Sequence, residues 1–388
     1  MSWLTGLDLL DGAGLRRNMA LRVAGDRLAE VAAFDGQKGT DLSEGGARAL
    51  VTPGLFDLQV NGGAGLMLGD CRTPADVLTI AAAHWASGTA AILPTLISDR
   101  PEVTARVIDL VVAAQAQAET QATGALPGLH LEGPHLAIAG AHDPACLRPM
   151  TDTDLALYAE ARARLGRLLI TVAPEVVPPA QIAALTAEGI TVALGHTACD
   201  RDLAESAYAA GAVMATHLFN AMSGLHHRAP GLVGATLDRG APFGLIADGV
   251  HVDPAVLRVA LRASPGAAVL VSDAMAVAGT GAERFTLAGR EVLRRNGRLE
   301  LADGTLAGAD LTLVQAVENV AGWLFAGIEE VAPMGFDAPA RVLGMEAPEL
   351  AEGAAARLLV WRGGRAVARV DGGGVLPVMD GQVPGLPG

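Results

Sequence analysis

Short apolar runs, each ending in polar or glycine residues, recur eight times between residues 55 and 274. They are LFDLQV (55–60), TAAILPT (89–95), PGLHLE (127–132), LLITVAPE (168–175), GITVALGH (189–196), GAVMATHL (211–218), FGLIADG (243–249) and AVLVSDA (268–274). Between most of them lie Ala-rich stretches with helical spacing of apolar residues, such as TPADVLTIAAAHWA, PEVTARVIDLVVAAQAQ and CDRDLAESAYAAG. Continuous apolar strands alternating with amphipathic helices predict an α/β fold whose parallel sheet is covered on both faces. Eight such units predict a closed (β/α)8 barrel of the TIM type. An open doubly wound sheet would carry a Gly-rich GxGxxG turn after its first strand, and NGGAG is not one.

The two ends of the chain have another texture. LTGLDLLDG, MALRVAGDRLAEVAAF and GARALVTPG near the start, and ARLLVWRGGRAVARVDGGG near the end, alternate like short strands joined by tight turns. The simplest arrangement places residues 1–52 and 346–388 together in one small β-sandwich domain beside a barrel spanning 53–345. GTLAGADLTLVQAVENVAGWLF then reads as the last barrel loop and helix.

Composition narrows the function. Hydrophobic residues make up 51% but aromatics only 3%, so the core must be built from Ala, Val, Leu and Ile. The net charge of −14, without basic runs, speaks against a nucleic-acid partner, because neutralising a phosphate backbone needs clustered Lys and Arg. Lys38 is the one lysine of the chain, which removes Schiff-base chemistry in the barrel, a P-loop and a carboxylated-lysine metal bridge. Cys71, Cys146 and Cys199 form no CxxC pair and predict reduced thiols in the cytoplasm. MSWLTGLDLLDG is acidic where a secretory leader would be basic, and the apolar stretch from Thr79 to Ile97 is broken by His84, Ser87, Gly88 and Pro94, so no membrane association is expected.

The unusual residues fall at strand ends, on the face where barrels assemble their active sites. Glu132 ends the third strand, His196 the fifth and His217 the sixth. One carboxylate and two imidazoles form the donor set of a catalytic divalent-metal site with a position open to water. Zn is the first expectation, and Fe, Co or Mn accept the same donors. Asp273 ends the eighth strand, where a carboxylate beside a cation stays ionised and can act as general base and then as acid. After the first strand stand Gln59 and Asn61, neutral amides that are poor ligands for such a cation, and no lysine is available as a bridge, which predicts one metal per subunit. His84 and His130 read as structural, His226 and His227 as loop residues, and His135 has no evident role.

PGLFDLQVNGGAG, LPTLISD, GLHLEGPHL, LGHTACD, THLFNAMSGLHHRAPG, IADGVHVD and VSDAMAVAG, in this order, resemble the N-acetylglucosamine-6-phosphate deacetylases of the amidohydrolase superfamily. The likeness runs from about Pro53 to Asp310. It implies hydrolysis of the acetamido group of a phosphorylated amino sugar, with Glu132, His196 and His217 holding the metal and Asp273 as acid and base. It further implies that Asn220, Ala221 and Arg228 contact the sugar phosphate, that His142 and His251 hydrogen-bond the substrate, and that the protein is a homodimer. A deacetylase of N-acetylgalactosamine 6-phosphate, or of another amide, fits the same residues. A barrel that only binds sugar phosphate would not need both metal ligands and a base.

Overall fold

The computed structural model describes residues 3–118 and 124–379. Each of the eight apolar runs forms a strand: Leu55–Val60, Thr89–Ile97, Leu129–Glu132, Leu168–Val172, Thr191–Leu194, Met214–Ala215, Phe243–Leu245 and Ala268–Leu270. They pair in parallel in sequence order. The Asp273 N–H donates to Gln59 O (3.0 Å) and the Asn61 N–H to Ala274 O (2.9 Å), so the last strand returns to the first and the sheet closes. The barrel wall is buried on both faces, which is why its strands read as unbroken apolar runs.

The sixth strand is shorter than its apolar run. Only Met214 and Ala215 count as strand, although Thr216 N–H still donates to Leu194 O (2.8 Å) and Leu218 N–H to Gly244 O (2.8 Å). His217 adopts φ +24° and turns the chain inward before the run is complete.

Helices cover the outside, and their starts follow local chemistry. In Pro74–Ala86 and Asp152–Leu165 a threonine, Thr73 or Thr151, caps the helix while an aspartate three residues on reaches back, as in a capping box. The final barrel helix, Leu313–Leu324, starts the same way with Thr312 and Gln315. No helix among the described residues is long and apolar enough to cross a membrane.

Strands Trp3–Asp11, Gly14–Ala24, Arg27–Ala33 and Ala49–Pro53 join Leu358–Arg362, Arg365–Asp371 and Gly374–Pro377 in one continuous path of paired strands, with Gly39–Asp41 beside the first. Leu28 near one end of that path and Val370 near the other share a single apolar core with Leu7, Leu9 and Val360, so the sheet folds over on itself. Ala49–Pro53 runs almost directly into the first barrel strand, and the Trp85 indole N–H donates to Asp371 (3.2 Å) across the junction.

Gly88 sits at this junction with φ +98°, and a Cβ there would lie 2.8 Å from side-chain carbons of both Leu359 and Val314. Gly88→Ala therefore adds backbone strain and overpacking together. It should lower stability by about 1–3 kcal/mol in urea unfolding without changing metal content.

One element has no counterpart in the sequence reading. After the eighth strand the chain makes a four-stranded antiparallel meander, Arg284–Leu287, Arg290–Arg295, Arg298–Leu301 and Leu306–Ala309. Its first two turns, at Ala288–Gly289 and Asn296–Gly297, have positive φ at both central residues, the geometry that matches strand twist in a two-residue hairpin. The segment read as a barrel loop thus begins with the last strand of this meander, which returns to the barrel where Ala309 N–H donates to Asp273 O (3.0 Å).

Candidate metal centre and active site

A cavity of about 270 Å³ opens at the carboxyl ends of the barrel strands. Glu132, His142, His196, His217, Asn220, Ala221, His251 and Asp273 all line it. Arg228 does not; it lies on an exposed loop beyond the cavity wall, next to the exposed His226 and His227.

Three donor atoms converge at its floor. Glu132 Oε1 lies 2.9 Å from His217 Nε2 and 3.3 Å from His196 Nε2, and the two imidazole nitrogens are 3.2 Å apart. All three side chains are buried. His196 Nδ1 donates to Ile138 O (2.8 Å), which fixes the tautomer and turns the Nε2 lone pair toward the shared focus, as outer partners of metal-ligating histidines do. One carboxylate and two such nitrogens on three adjacent-to-near strands fit a divalent cation. Burial alone would raise the Glu132 pKa, but its contacts with the His196 and His217 imidazoles outweigh it and hold the carboxyl well below its usual range. Burial likewise disfavours a charged His217, yet the Glu132 charge prevails and raises that pKa.

The backbone is under strain at these positions. His196, His217 and Asp273 have φ of +49°, +24° and +51°, a region that costs a non-glycine residue energy and persists only where surrounding structure enforces it.

Asp273 is fixed from the first strand. Asn61 Nδ2 donates to its Oδ1 at 2.6 Å, and Gln59 Nε2 reaches both the same oxygen (3.1 Å) and Glu132 Oε1 (3.0 Å). Both neutral amides thus orient Asp273, and Gln59 alone also bridges it to Glu132, a carboxylate that would otherwise repel it. Both donors use Oδ1, which leaves Oδ2 for other chemistry. Burial, reinforced by the Glu132 charge, pushes the Asp273 pKa up to about 6.

Two further histidines face the cavity with opposite polarity. His142 Nδ1 accepts the Ser98 backbone N–H (3.2 Å), so a neutral ring carries its proton on Nε2, toward Glu132 (3.7 Å). Burial drives the His142 pKa down to about 3, which keeps that ring neutral. His251 Nδ1 instead lies 2.7 Å from Asp248 Oδ2.

Of the residues expected at the phosphate, Asn220 already donates its backbone N–H to His217 O (3.0 Å) and its side-chain amide to the carbonyls of His217 and Leu218. The backbone N–H of Ala221 has no acceptor among the described residues. His135 acquires a role: buried, it joins Arg148 O (3.0 Å) to the Tyr158 hydroxyl (2.9 Å). His130 and His84 are structural, held by Leu58 O and Gly62 O.

Sequence comparison places this geometry. The chain is 38% identical over 312 residues to an N-acetylgalactosamine-6-phosphate deacetylase from Shewanella sp. (strain ANA-3), covering 79% of this chain and 77% of the relative. The chain belongs to the family of N-acetylhexosamine-6-phosphate deacetylases. A second member, N-acetylglucosamine-6-phosphate deacetylase of Mus musculus, is 35% identical over 314 residues, 76% of this chain and 75% of its own length. The solved structure of a single-residue mutant of N-acetyl-D-glucosamine-6-phosphate deacetylase from Mycobacterium smegmatis in complex with N-acetyl-D-glucosamine-6-phosphate superposes with a TM-score of 0.85 at 29% identity, covering 96% of this chain and 98% of that one. No family model matches the chain.

Several cavity residues of this family member carried no mark in the sequence. Ile97, Ile246 and Met275 line the cavity from just at or after the second, seventh and eighth strands, and Leu287, Thr305 and Leu306 reach it from the meander. Ile97 is the last residue of its strand, Ile246 lies one residue past Leu245 and Met275 five past Leu270, so closeness to a strand end is the available signal for these three. For the meander no such rule exists, because its residues return to the barrel rim from a separate sheet.

Proposed function

We propose that the protein hydrolyses the acetamido group of an N-acetylhexosamine 6-phosphate, N-acetylglucosamine 6-phosphate first, to acetate and the free amino sugar phosphate. The observation that carries this reading is the convergence of Glu132, His196 and His217 beside Asp273 in a barrel of the deacetylase family. A divalent cation held by those three residues, Zn first among the candidates, polarises a carbonyl and brings the pKa of water toward neutrality.

The chain's own groups do the rest. Asp273, fixed through Oδ1 by Asn61 and Gln59, takes the proton of the attacking water on Oδ2 and delivers it to the leaving nitrogen. His142 presents an Nε2 donor and His251 its Nε2 to the bound sugar amide. The Ala221 N–H is one contact for phosphate. Arg228, outside the cavity of its own chain, completes the anion site across a homodimer with its planar fork of donors.

The galacto epimer is a real second reading, since members of both kinds are more than 30% identical to this chain. Rates on N-acetylglucosamine 6-phosphate, N-acetylgalactosamine 6-phosphate and unphosphorylated N-acetylglucosamine separate the cases. A 6-phosphate should raise kcat/KM by about a hundredfold or more, the worth of a charged anchor remote from the reacting carbon. Equal rates with and without phosphate would remove the sugar-phosphate assignment. Arg228→Ala should raise KM about tenfold or more while leaving kcat within a few-fold, as loss of uniform binding does.

The base must be ionised to act, so activity is present above the Asp273 pKa and lost as pH falls through it. Burial sets that pKa at about 6, and a neighbouring cation favours the carboxylate. The acid limb of kcat/KM should therefore lie at or below about pH 6. A limb near pH 8 would assign the base to another group.

A further inference from the structure

Asp248 ends the seventh strand region in the sequence ADGVHVD, three residues before His251. Its carboxylate is fully engaged. Oδ1 accepts the backbone N–H groups of Val250 and His251, both at 2.8 Å, and Oδ2 lies 2.7 Å from His251 Nδ1. The two side chains are only 5% and 7% exposed, so neither ring nor carboxylate is free to turn away. The turn itself is anchored from the last barrel helix, where Asn319 Nδ2 donates to Ala247 O (2.9 Å).

An ionised carboxylate only accepts hydrogen bonds, so a nitrogen 2.7 Å from it must carry the hydrogen. Acceptance of three N–H groups outweighs the effect of burial and holds the Asp248 pKa below the usual carboxylate range, which keeps this acceptor ionised. His251 lines the cavity, and its other nitrogen, Nε2, has no partner among the described residues.

We propose that Asp248 is a positioning residue for the reaction: it locks His251 in the Nδ1–H tautomer and so presents Nε2, as a hydrogen-bond acceptor in the neutral ring, to a hydroxyl or amide N–H of the amino sugar. The inference rests on the deacetylase reading for the identity of the ligand, but not for the tautomer. It gives the cavity two imidazoles of opposite character. His142 donates through Nε2, because Ser98 N–H occupies its Nδ1, whereas His251 accepts through Nε2, because Asp248 occupies its own. The logic is that of a carboxylate–histidine pair, in which the carboxylate sets the tautomer and orientation without itself exchanging a proton.

Two substitutions separate tethering of the ring from support of the turn. Asp248→Asn keeps shape but offers an amide that can donate to Nδ1, which favours the Nε2–H tautomer. Asp248→Ser keeps an oxygen able to cap the Val250 and His251 N–H groups but cannot reach the ring.

The test is long-range 1H–15N correlation of the metal-loaded protein at about pH 8.5, two units above the ordinary histidine pKa of about 6.5. The His251 resonances are assigned by their loss in His251→Gln. The wild type should show a protonated Nδ1 and an unprotonated Nε2, and Asp248→Asn should shift the pattern toward the opposite tautomer. Alongside it, kcat/KM on N-acetylglucosamine 6-phosphate should fall about 10- to 100-fold in Asp248→Asn, Asp248→Ser and His251→Gln, the size of leaving a buried hydrogen-bonding group of the substrate unpaired. Metal content should stay at the wild-type level throughout.

Combining Asp248→Asn with His251→Gln should cost no more than His251→Gln alone, because Asp248 acts through the ring. An unprotonated Nδ1 in the wild type, or losses that multiply in the double variant, would overturn the proposal. If Asp248→Asn does not fold, Asp248→Ser with its own double variant decides. A wild type that shows the expected tautomer but releases no acetate would overturn the substrate reading and leave the Asp248–His251 pairing standing.

Discussion

Asp273→Asn is expected to lower the rate of acetate release by about a thousandfold or more while one metal per subunit is retained. The amide is nearly isosteric, and its oxygen can still accept from Asn61 Nδ2 and Gln59 Nε2, so the local packing has little reason to change. What disappears is a group able to take a proton from water and return it to the leaving nitrogen. General acid and base contributions are worth about 10²–10⁴ each, and here one carboxyl supplies both. Because the residue is not among the three converging donors, the metal should remain. A loss smaller than tenfold, measured with metal content in the same samples, would mean that the proton has another route.

Glu132→Gln should have the converse signature: the metal leaves and activity goes with it. Its carboxylate is the one formal negative charge among the three converging donors, and it sits within 3.3 Å of both imidazole nitrogens. Changing residues that merely support metal ligands costs about 10–100-fold in affinity, so removing the charge of a ligand itself should weaken binding by at least about a hundredfold. Equilibrium dialysis with Zn, read by elemental analysis, checks this. Excess metal should restore activity only in part. Retention of wild-type occupancy by Glu132→Gln would place the cation elsewhere.

The barrel was legible because a parallel sheet buried on both faces leaves an unmistakable trace. LFDLQV and LLITV have no outward polar face, and the residues that break the pattern, Glu132, His196, His217 and Asp273, mark the strand ends around the cavity. The convergence of Glu132, His196 and His217 is legible for the same reason: charged or imidazole groups at the ends of apolar strands are expensive to bury without partners. His142 was harder to place, because it comes from a loop and reaches the cavity through Ser98 rather than from a strand.

The meander carries turn signals but little apolar periodicity. Asn296–Gly297 and Asp303–Gly304 are strong hairpin dipeptides. Its strands RFTL, REVLRR and RLEL are short and rich in charge, since one side of the small sheet is exposed, so apolar periodicity gives them little weight. Tertiary contacts hold it: Val292, Leu299 and Leu301 pack with Met67, Met275 and Val277 in a core of their own. Gln59 and Asn61 show a different gap. Sequence indicates what they are not, histidine ligands, whereas only the folded barrel brings both amides to Asp273 and lets Gln59 bridge it to Glu132.

Metal-dependent deacetylation of a phosphorylated amino sugar is tested by acetate release by the purified wild type from N-acetylglucosamine 6-phosphate and its galacto epimer, before chelation, after it and after metal is returned. Turnover of at least one epimer with about one divalent ion per subunit, loss on chelation and recovery on reloading are expected. Protein that holds its metal and leaves both acetamido groups intact would contradict it.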